Sequence, residues 1–153
     1  MLILRPMSED EFVEFRAISM EDYAQERARN SGLPIEVERD IAEKQYAHIL
    51  KDGLQTQGQY LWKIVADGDE PVGELWVAVE EGRKDAFIFF IGIDAPHRGR
   101  GYAGQALDLL EAQLAPLGIT QIGLNVFEDN PVAKHLYEKK GYRFTSHNMV
   151  KPI

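Results

Sequence analysis

Residues 91–104 of this 153-residue chain read Ile-Gly-Ile-Asp-Ala-Pro-His-Arg-Gly-Arg-Gly-Tyr-Ala-Gly, and they carry its clearest chemical signal. An apolar run over 87–93 stops at Asp94 and Pro96, a glycine-rich basic loop follows, and a helical pattern starts after it. Strand, loop and helix in that order make an anion site. Glycines let the backbone come close to a ligand. Unpaired N–H groups and the positive end of the helix dipole then face the anion. Arg98 and Arg100 add two fixed positive charges. The chemistry indicated is phosphate binding.

Three kinds of phosphate loop compete for this segment. The nucleotide-triphosphate loop ends in Gly-Lys-Ser/Thr, which does not occur here. Gly99-Arg-Gly101-Tyr-Ala-Gly104 has the spacing of the dinucleotide fingerprint, but that fingerprint opens the first strand-helix-strand unit of its fold. Here the glycines follow a run of strands joined by tight turns. The third pattern, Arg/Gln-x-x-Gly-x-Gly/Ala, is met by Arg98-Gly-Arg-Gly101-Tyr-Ala103 in a matching context.

A second group of residues lies at 130–144: Asn-Pro-Val-Ala-Lys-His-Leu-Tyr-Glu-Lys-Lys-Gly-Tyr-Arg-Phe. Each has an ordinary structural use. Asn130 before Pro131 suits a helix N-cap, Gly141 suits a C-terminal stop, and Tyr137, one turn from Ala133, could fill a core. A phenol can also donate a proton. His48, His97 and His135 fall in different elements without ligand spacing, so no metal site is expected. No nucleophile-elbow sequence is present.

The elements that must position these residues follow from periodicity. A short apolar run at 2–4 gives a first strand. Ser8-Glu-Asp-Glu11 is a capping box, with Met7 and Phe12 placed as a hydrophobic staple. The spacing predicts a helix over 9–29, with a stripe of Phe12, Phe15, Ile18 or Ser19, Tyr23 and Ala24, and a second helix over 34–50. Strands are predicted over 60–66, 72–79 and 87–93, then a helix over 102–114, a strand over 122–127, a helix over 131–140 and a last strand over 142–150. The order β-α-α-β-β-β-α-β-α-β gives an α/β (α+β) fold, a mixed central sheet with helices on both faces. No linker divides the chain, so 1–153 is expected to be one domain.

Composition narrows the field. Apolar residues make up 44%, enough for a packed core, and there is no cysteine, which removes disulfides, thiolate metal sites and cysteine nucleophiles. The net charge of −8 argues against general nucleic-acid binding and is compatible with a cationic partner. No segment has the length and apolarity of a signal peptide or membrane span, so a cytoplasmic protein without a membrane partner is expected.

On these motifs the chain resembles the GNAT superfamily of acyl-CoA-dependent N-acetyltransferases. The resemblance runs from about residue 60 to residue 144. It implies a GNAT-like fold and acetyl-CoA as co-substrate, without a metal. The pantetheine arm would lie along Ile91, Gly92 and Ile93, and the diphosphate on the loop Arg98, Gly99, Arg100, Gly101, Tyr102 and Ala103. The segment from Asn130 through Ala133 and Tyr137 to Tyr142 is similar to the family's second signature. By that likeness Asn130 and Ala133 fall on the cofactor side, and the Tyr137 hydroxyl protonates the departing thiolate. A backbone N–H near Ile91 would meet the oxyanion. The acceptor is an amine, cationic if the acidic surface recruits it, which attacks the thioester directly. Many members carry an acid or histidine on the strand before the loop, but 87–93 holds none. Glu74 is the favoured base, with Tyr23, Glu26 and His147 as further candidates. The alternative function is a non-catalytic acyl-CoA sensor. A homodimer is left open, with Trp62, Trp76 and the run 87–90 as core or interface.

Overall fold

The computed structural model describes residues 1–153. Its elements are β1 (Ile3–Pro6), α1 (Glu9–Ser31), α2 (Ile35–Ile49), β2 (Gln59–Ala66), β3 (Glu70–Val79), β4 (Asp85–Ile93), α3 (Tyr102–Leu114), β5 (Gln121–Leu124) and α4 (Pro131–Lys139). The five strands form one mixed sheet in chain order. The first three pairings are antiparallel, and β5 lies parallel to β4 across the α3 connection. No helix is long and apolar enough to cross a membrane.

The chain forms two compact units. The first holds Met1–Arg16 and Leu50–Asn125, and the second Ala17–Ile49 and Val126–Ile153, so one boundary falls inside α1.

The first unit carries the sheet and its core. Ile64, Val65, Val72, Leu75, Trp76 and Val77 are buried with Ala106, Leu107 and Leu110 of α3. Each large apolar side chain removed from water contributes about 1.5–3 kcal/mol. The start of α1 closes as its sequence predicts. Ser8 Oγ accepts from the Glu11 N–H at 3.2 Å, and the Glu11 carboxylate accepts from the Ser8 N–H at 2.9 Å. Met7 and Phe12 are both buried beside this box. Phe15 then meets Trp76 and Phe90 edge-on, at centroid distances of 6.4 and 5.1 Å.

The second unit is built from helices. The stripe of α1 continues through Ser19 and Ala24, while Ile18 is exposed. Ser19 is the residue a 3.6 period selects, four after Phe15, and its hydroxyl accepts from Tyr46 Oη at 3.1 Å. On α2 the buried positions Glu38, Ala42 and Tyr46 recur every fourth residue. Glu38 is fully buried at the head of that row, where it pairs with Arg27 and accepts from Ser31 Oγ at 2.8 Å. Burial opposes its ionisation most strongly. The Arg27 and Ser31 bonds together outweigh that and hold its carboxyl below the usual range.

The last predicted strand does not form. Residues after Gly141 lie in no helix or strand. The alternation of Tyr142 and Phe144 runs out in Thr145-Ser-His-Asn148, which has no apolar face to bury against a sheet. Phe144 instead stacks on His147 at 5.2 Å. The predicted strand over 122–127 is also shorter, ending at Leu124. Phe127 belongs to the second unit, where its ring lies 6.4 Å from that of Tyr23.

Candidate active site

Ile91, Gly92 and Ile93 form the end of β4, opposite Leu75, Glu74 and Gly73 of β3. The other edge of β4 is shared with β5 only from Asp85 to Ile88. Beyond Ile88 the strand continues to Ile93 with no partner on that side. The cause is local. Trp76 pairs with Phe90 and Val77 with Ile88, so Phe89 is the extra residue of a bulge. A bulge bends its strand and increases its twist, and this one sits where pairing to β5 stops. The outcome is a length of strand edge with free backbone donors and acceptors, which an extended ligand can join as a further strand would.

That edge leads into the glycine loop. The turn Ala95–His97 comes first, and Arg98 Nε donates to the Ile93 carbonyl at 2.8 Å. Arg98 therefore ties the loop back to the strand end. Gly99 and Gly101 have φ of 78° and 80°, a conformation that costs a side-chain-bearing residue about 1–2 kcal/mol. Gly101 is the N-cap of α3 and has no side chain to occupy the first-turn amides. The N–H groups from Gly99 to Gly104, Tyr102 and Ala103 included, find no acceptor in the chain. Free amides at the positive end of the helix dipole, with Arg100 in the same loop, are the groups that an anion would use.

Glu74 lies on β3, directly opposite Lys63 of β2. Lys63 Nζ donates to Glu74 Oε1 at 3.0 Å, and both side chains are mostly buried. Burial pushes the Glu74 carboxyl above its ordinary value. Lys63 pulls it back, and Asp94 and Glu14 push it further up. Its lone pairs are therefore partly committed to a neighbouring ammonium.

The second signature folds as a short helix in the second unit. Asn130 is its N-cap, and Asn130 Oδ1 accepts from the Ala133 N–H at 3.1 Å. The structural use of Asn130 is thus present, and its side-chain NH2 stays available as a donor. Ala133 and Tyr137 follow on one face of α4, one turn apart. Tyr137 is half-buried and meets the Tyr142 ring at 5.8 Å. Burial first, and then the charge of Glu26, push its phenol above the ordinary value.

The other base candidates separate clearly. Tyr23 is packed among Tyr46, Phe127 and Arg27. His147 lies in no strand and only stacks on Phe144. Glu26 is half-buried, and its charge acts on Tyr137. No local pattern marks the bulge at Phe89 or the tie from Arg29 and Asn30 to Asp129. No group of three or more His, Cys, Asp or Glu side chains is placed to hold a metal ion.

Known proteins share this fold. The model of the acetyltransferase (GNAT) family matches residues 17–142. The uncharacterized N-acetyltransferases YycN and YdgE of Bacillus subtilis (strain 168) are 32% and 33% identical to the chain. The matches cover 99% of this chain and 99% of YycN, and 98% of this chain and 97% of YdgE. The crystal structure of the putative acetyltransferase YycN superposes with a TM-score of 0.95 at 31% identity, covering 100% of this chain and 99% of that one. An aminoglycoside N-acetyltransferase, AAC(6')-Iy in complex with CoA, shares the fold at a TM-score of 0.60 and 16% identity, over 100% of this chain and 95% of that one.

Proposed function

The chain belongs to the GNAT family of acetyltransferases, and from that premise we propose that it transfers an acetyl group from acetyl-CoA to a primary amine of a small molecule or peptide by direct attack, residues 1–153 acting as one catalytic domain. The observation that carries this reading is the unpartnered edge of β4 from Phe89 to Ile93, running straight into a loop of unpaired amides. An extended amide-bearing arm ending in a diphosphate has the shape and charge to use both at once.

In this reading Ile91, Gly92 and Ile93 bind the pantetheine arm through their backbone, and an N–H near Ile91 meets the oxyanion. The amides of Gly99, Gly101, Tyr102 and Ala103 bind the diphosphate, with Arg100 adding charge. Arg98 holds the loop in register from Ile93. Asn130, through its free NH2, and Ala133 contribute to the cofactor side. Tyr137 delivers its proton to the departing thiolate. Its phenol, raised by burial, stays protonated across the neutral range and is suited to that task.

The test is an amine panel with acetyl-CoA, followed by free-thiol release, together with calorimetry for acetyl-CoA binding. CoA release that depends on an added amine supports the transferase. Heat of binding with no release for any amine would favour an acyl-CoA sensor. No heat at all would remove acetyl-CoA from the account.

A further inference from the structure

In the second unit, α1 and the segment leading into α4 are tied at one point. Arg29 Nε donates to Asp129 Oδ2 at 2.9 Å, and Asn30 Nδ2 donates to Asp129 Oδ1 at 3.0 Å and to the Glu26 carbonyl at 2.8 Å. Tyr23 and Phe127 add a ring contact at 6.4 Å. From this tie Glu26 lies one turn back along α1, while Tyr137 lies two turns along α4. The charge of Glu26 acts on the Tyr137 phenol.

Glu26 differs from the other acids of this unit that are not exposed: Glu21 pairs with Arg39 and Glu38 with Arg27. The Glu26 carboxylate has no hydrogen bond and no ion pair, although it is half-buried. The groups acting on it are Arg29 and Asp22 on α1, Asp129 before α4, and Tyr137 on α4. Arg29, its cation, is already bonded to Asp129. Burial pushes the Glu26 carboxyl above its ordinary value. Arg29 pulls it down, and Asp129 and Asp22 push it up. A half-buried negative charge without a partner costs free energy that an incoming cation removes.

Resting on the transferase reading, we propose that Glu26 receives the acceptor's ammonium group, takes a proton from it, and passes a proton to Tyr137 after the thiolate has left. The balance closes. Glu26 carboxylate removes one proton from R–NH3+, leaving a free amine. The nitrogen lone pair forms the new C–N bond at the thioester carbonyl, and the nitrogen releases a second proton to solvent. The C–S bond breaks with its electron pair on sulfur, and the Tyr137 O–H protonates that thiolate. The proton held by Glu26 then restores the phenol. The sum is R–NH3+ plus acetyl-CoA giving the N-acetyl amine, CoA thiol and one proton. The same two side chains return to their starting states.

The experiment compares wild type, E26Q, E26D and Y137F labelled with 13C at tyrosine Cζ. Y137F assigns the Tyr137 resonance, and its titration is followed in the absence of any ligand. In E26Q the Tyr137 titration moves to lower pH, because a negative charge has been removed beside it. With the best amine of the panel, kcat/KM of wild type falls on an acid limb above the ordinary carboxylate range. E26Q loses that limb and about 100-fold in kcat/KM, while E26D keeps a limb. Acetyl-CoA affinity in E26Q stays within about twofold, since Glu26 acts on the acceptor. A Tyr137 titration identical in wild type and E26Q would overturn the coupling. An acid limb preserved in E26Q would overturn the proton step while leaving the transferase standing. Wild type that binds acetyl-CoA and acetylates nothing would sink the transferase reading, and this step with it.

Discussion

Glu74 on β3 is mostly buried and Glu26 on α1 half-buried, and burial is the largest influence on each carboxyl, pushing it up in both cases. They differ in what stands opposite. Glu74 faces a lysine at 3.0 Å, set there by cross-strand register. Glu26 has a phenol and two further acids within reach of its charge, and the cation beside it is bonded elsewhere. A sheet delivers a fixed partner to each position, one residue across each pairing. A helix presents a side chain to whatever the next element brings past it. Register in the sheet sets a counter-charge opposite Glu74, whereas α1 leaves Glu26 without one, and an unpaired charge is the more useful for a reaction.

The largest effect expected on this contrast comes from Tyr137→Phe. Removing the proton donor lowers turnover about 100-fold, the low end for general acid catalysis because a thiolate leaves readily, with acetyl-CoA affinity nearly unchanged. Equal turnover in the variant would take Tyr137 out of the mechanism and leave Glu26 with nothing to restore.

The two carboxylates should then separate in opposite directions. Glu74→Gln leaves a mostly buried Lys63 without its counter-charge, which costs about 1–3 kcal/mol of stability and alters turnover by no more than about threefold. Glu26→Gln lowers turnover but does not lower stability. The sign follows from linkage: a carboxyl raised by folding is held protonated more firmly in the folded state. The stability it confers is complete below the unfolded value and is lost as pH rises through the folded one. At neutral pH the amide replaces a charge that the fold disfavours, so E26Q melts at or above the wild-type temperature. A chemical-denaturation series at pH 7 on both variants, beside their rates, checks the crossing. A Glu74 variant that loses turnover and keeps its stability would reverse the comparison.

A smaller effect separates backbone from side-chain binding. Gly101→Ala at φ 80° strains the loop by about 1–2 kcal/mol and leaves open space for the added methyl, whose nearest neighbour is Gln105 Nε2 at 3.8 Å. Acetyl-CoA affinity should fall about tenfold, and calorimetry reads it directly. Arg100→Gln should change it less, since the amides make the site and the guanidinium only adds to the field.

How much of this was legible in sequence follows from the same distinction. The glycine turn and the capping box are legible because each is local: Gly99, Gly101, Ser8 and Glu11 act within a few residues of themselves. Strands β2 to β4 were readable because their apolar runs are long. The bulge at Phe89 was not, because it depends on register between two strands. The strand expected at 142–150 does not form, because 145–148 offers no apolar face. The pairing of Glu74 with Lys63 is not legible either, because Lys63 is eleven residues away in the chain and directly opposite it only in the sheet. Asp129 and Arg29 are 100 residues apart, and no spacing rule connects them.

Glu11 completes the series at the opposite extreme. It accepts a fork from Arg5, at 3.0 and 2.9 Å, and the Ser8 N–H besides. The Arg5 bond is the main cause that lowers its carboxyl to about 2, against an ordinary 4.5, with Ser8 adding to it and burial opposing. A depressed carboxyl contributes stability that is complete above its unfolded value and is lost as pH falls through the folded one. The loss therefore falls between about 4.5 and 2. Arg5 is 40% exposed, so solvent screening reduces the contribution to about 1 kcal/mol. Glu11→Gln should cost that amount at pH 7, cost almost nothing near pH 2, and leave acetyl transfer unchanged. Denaturation midpoints measured across that interval decide it. A constant deficit at every pH would mean that Glu11 acts through the neutral capping bond to Ser8 and owes nothing to its charge.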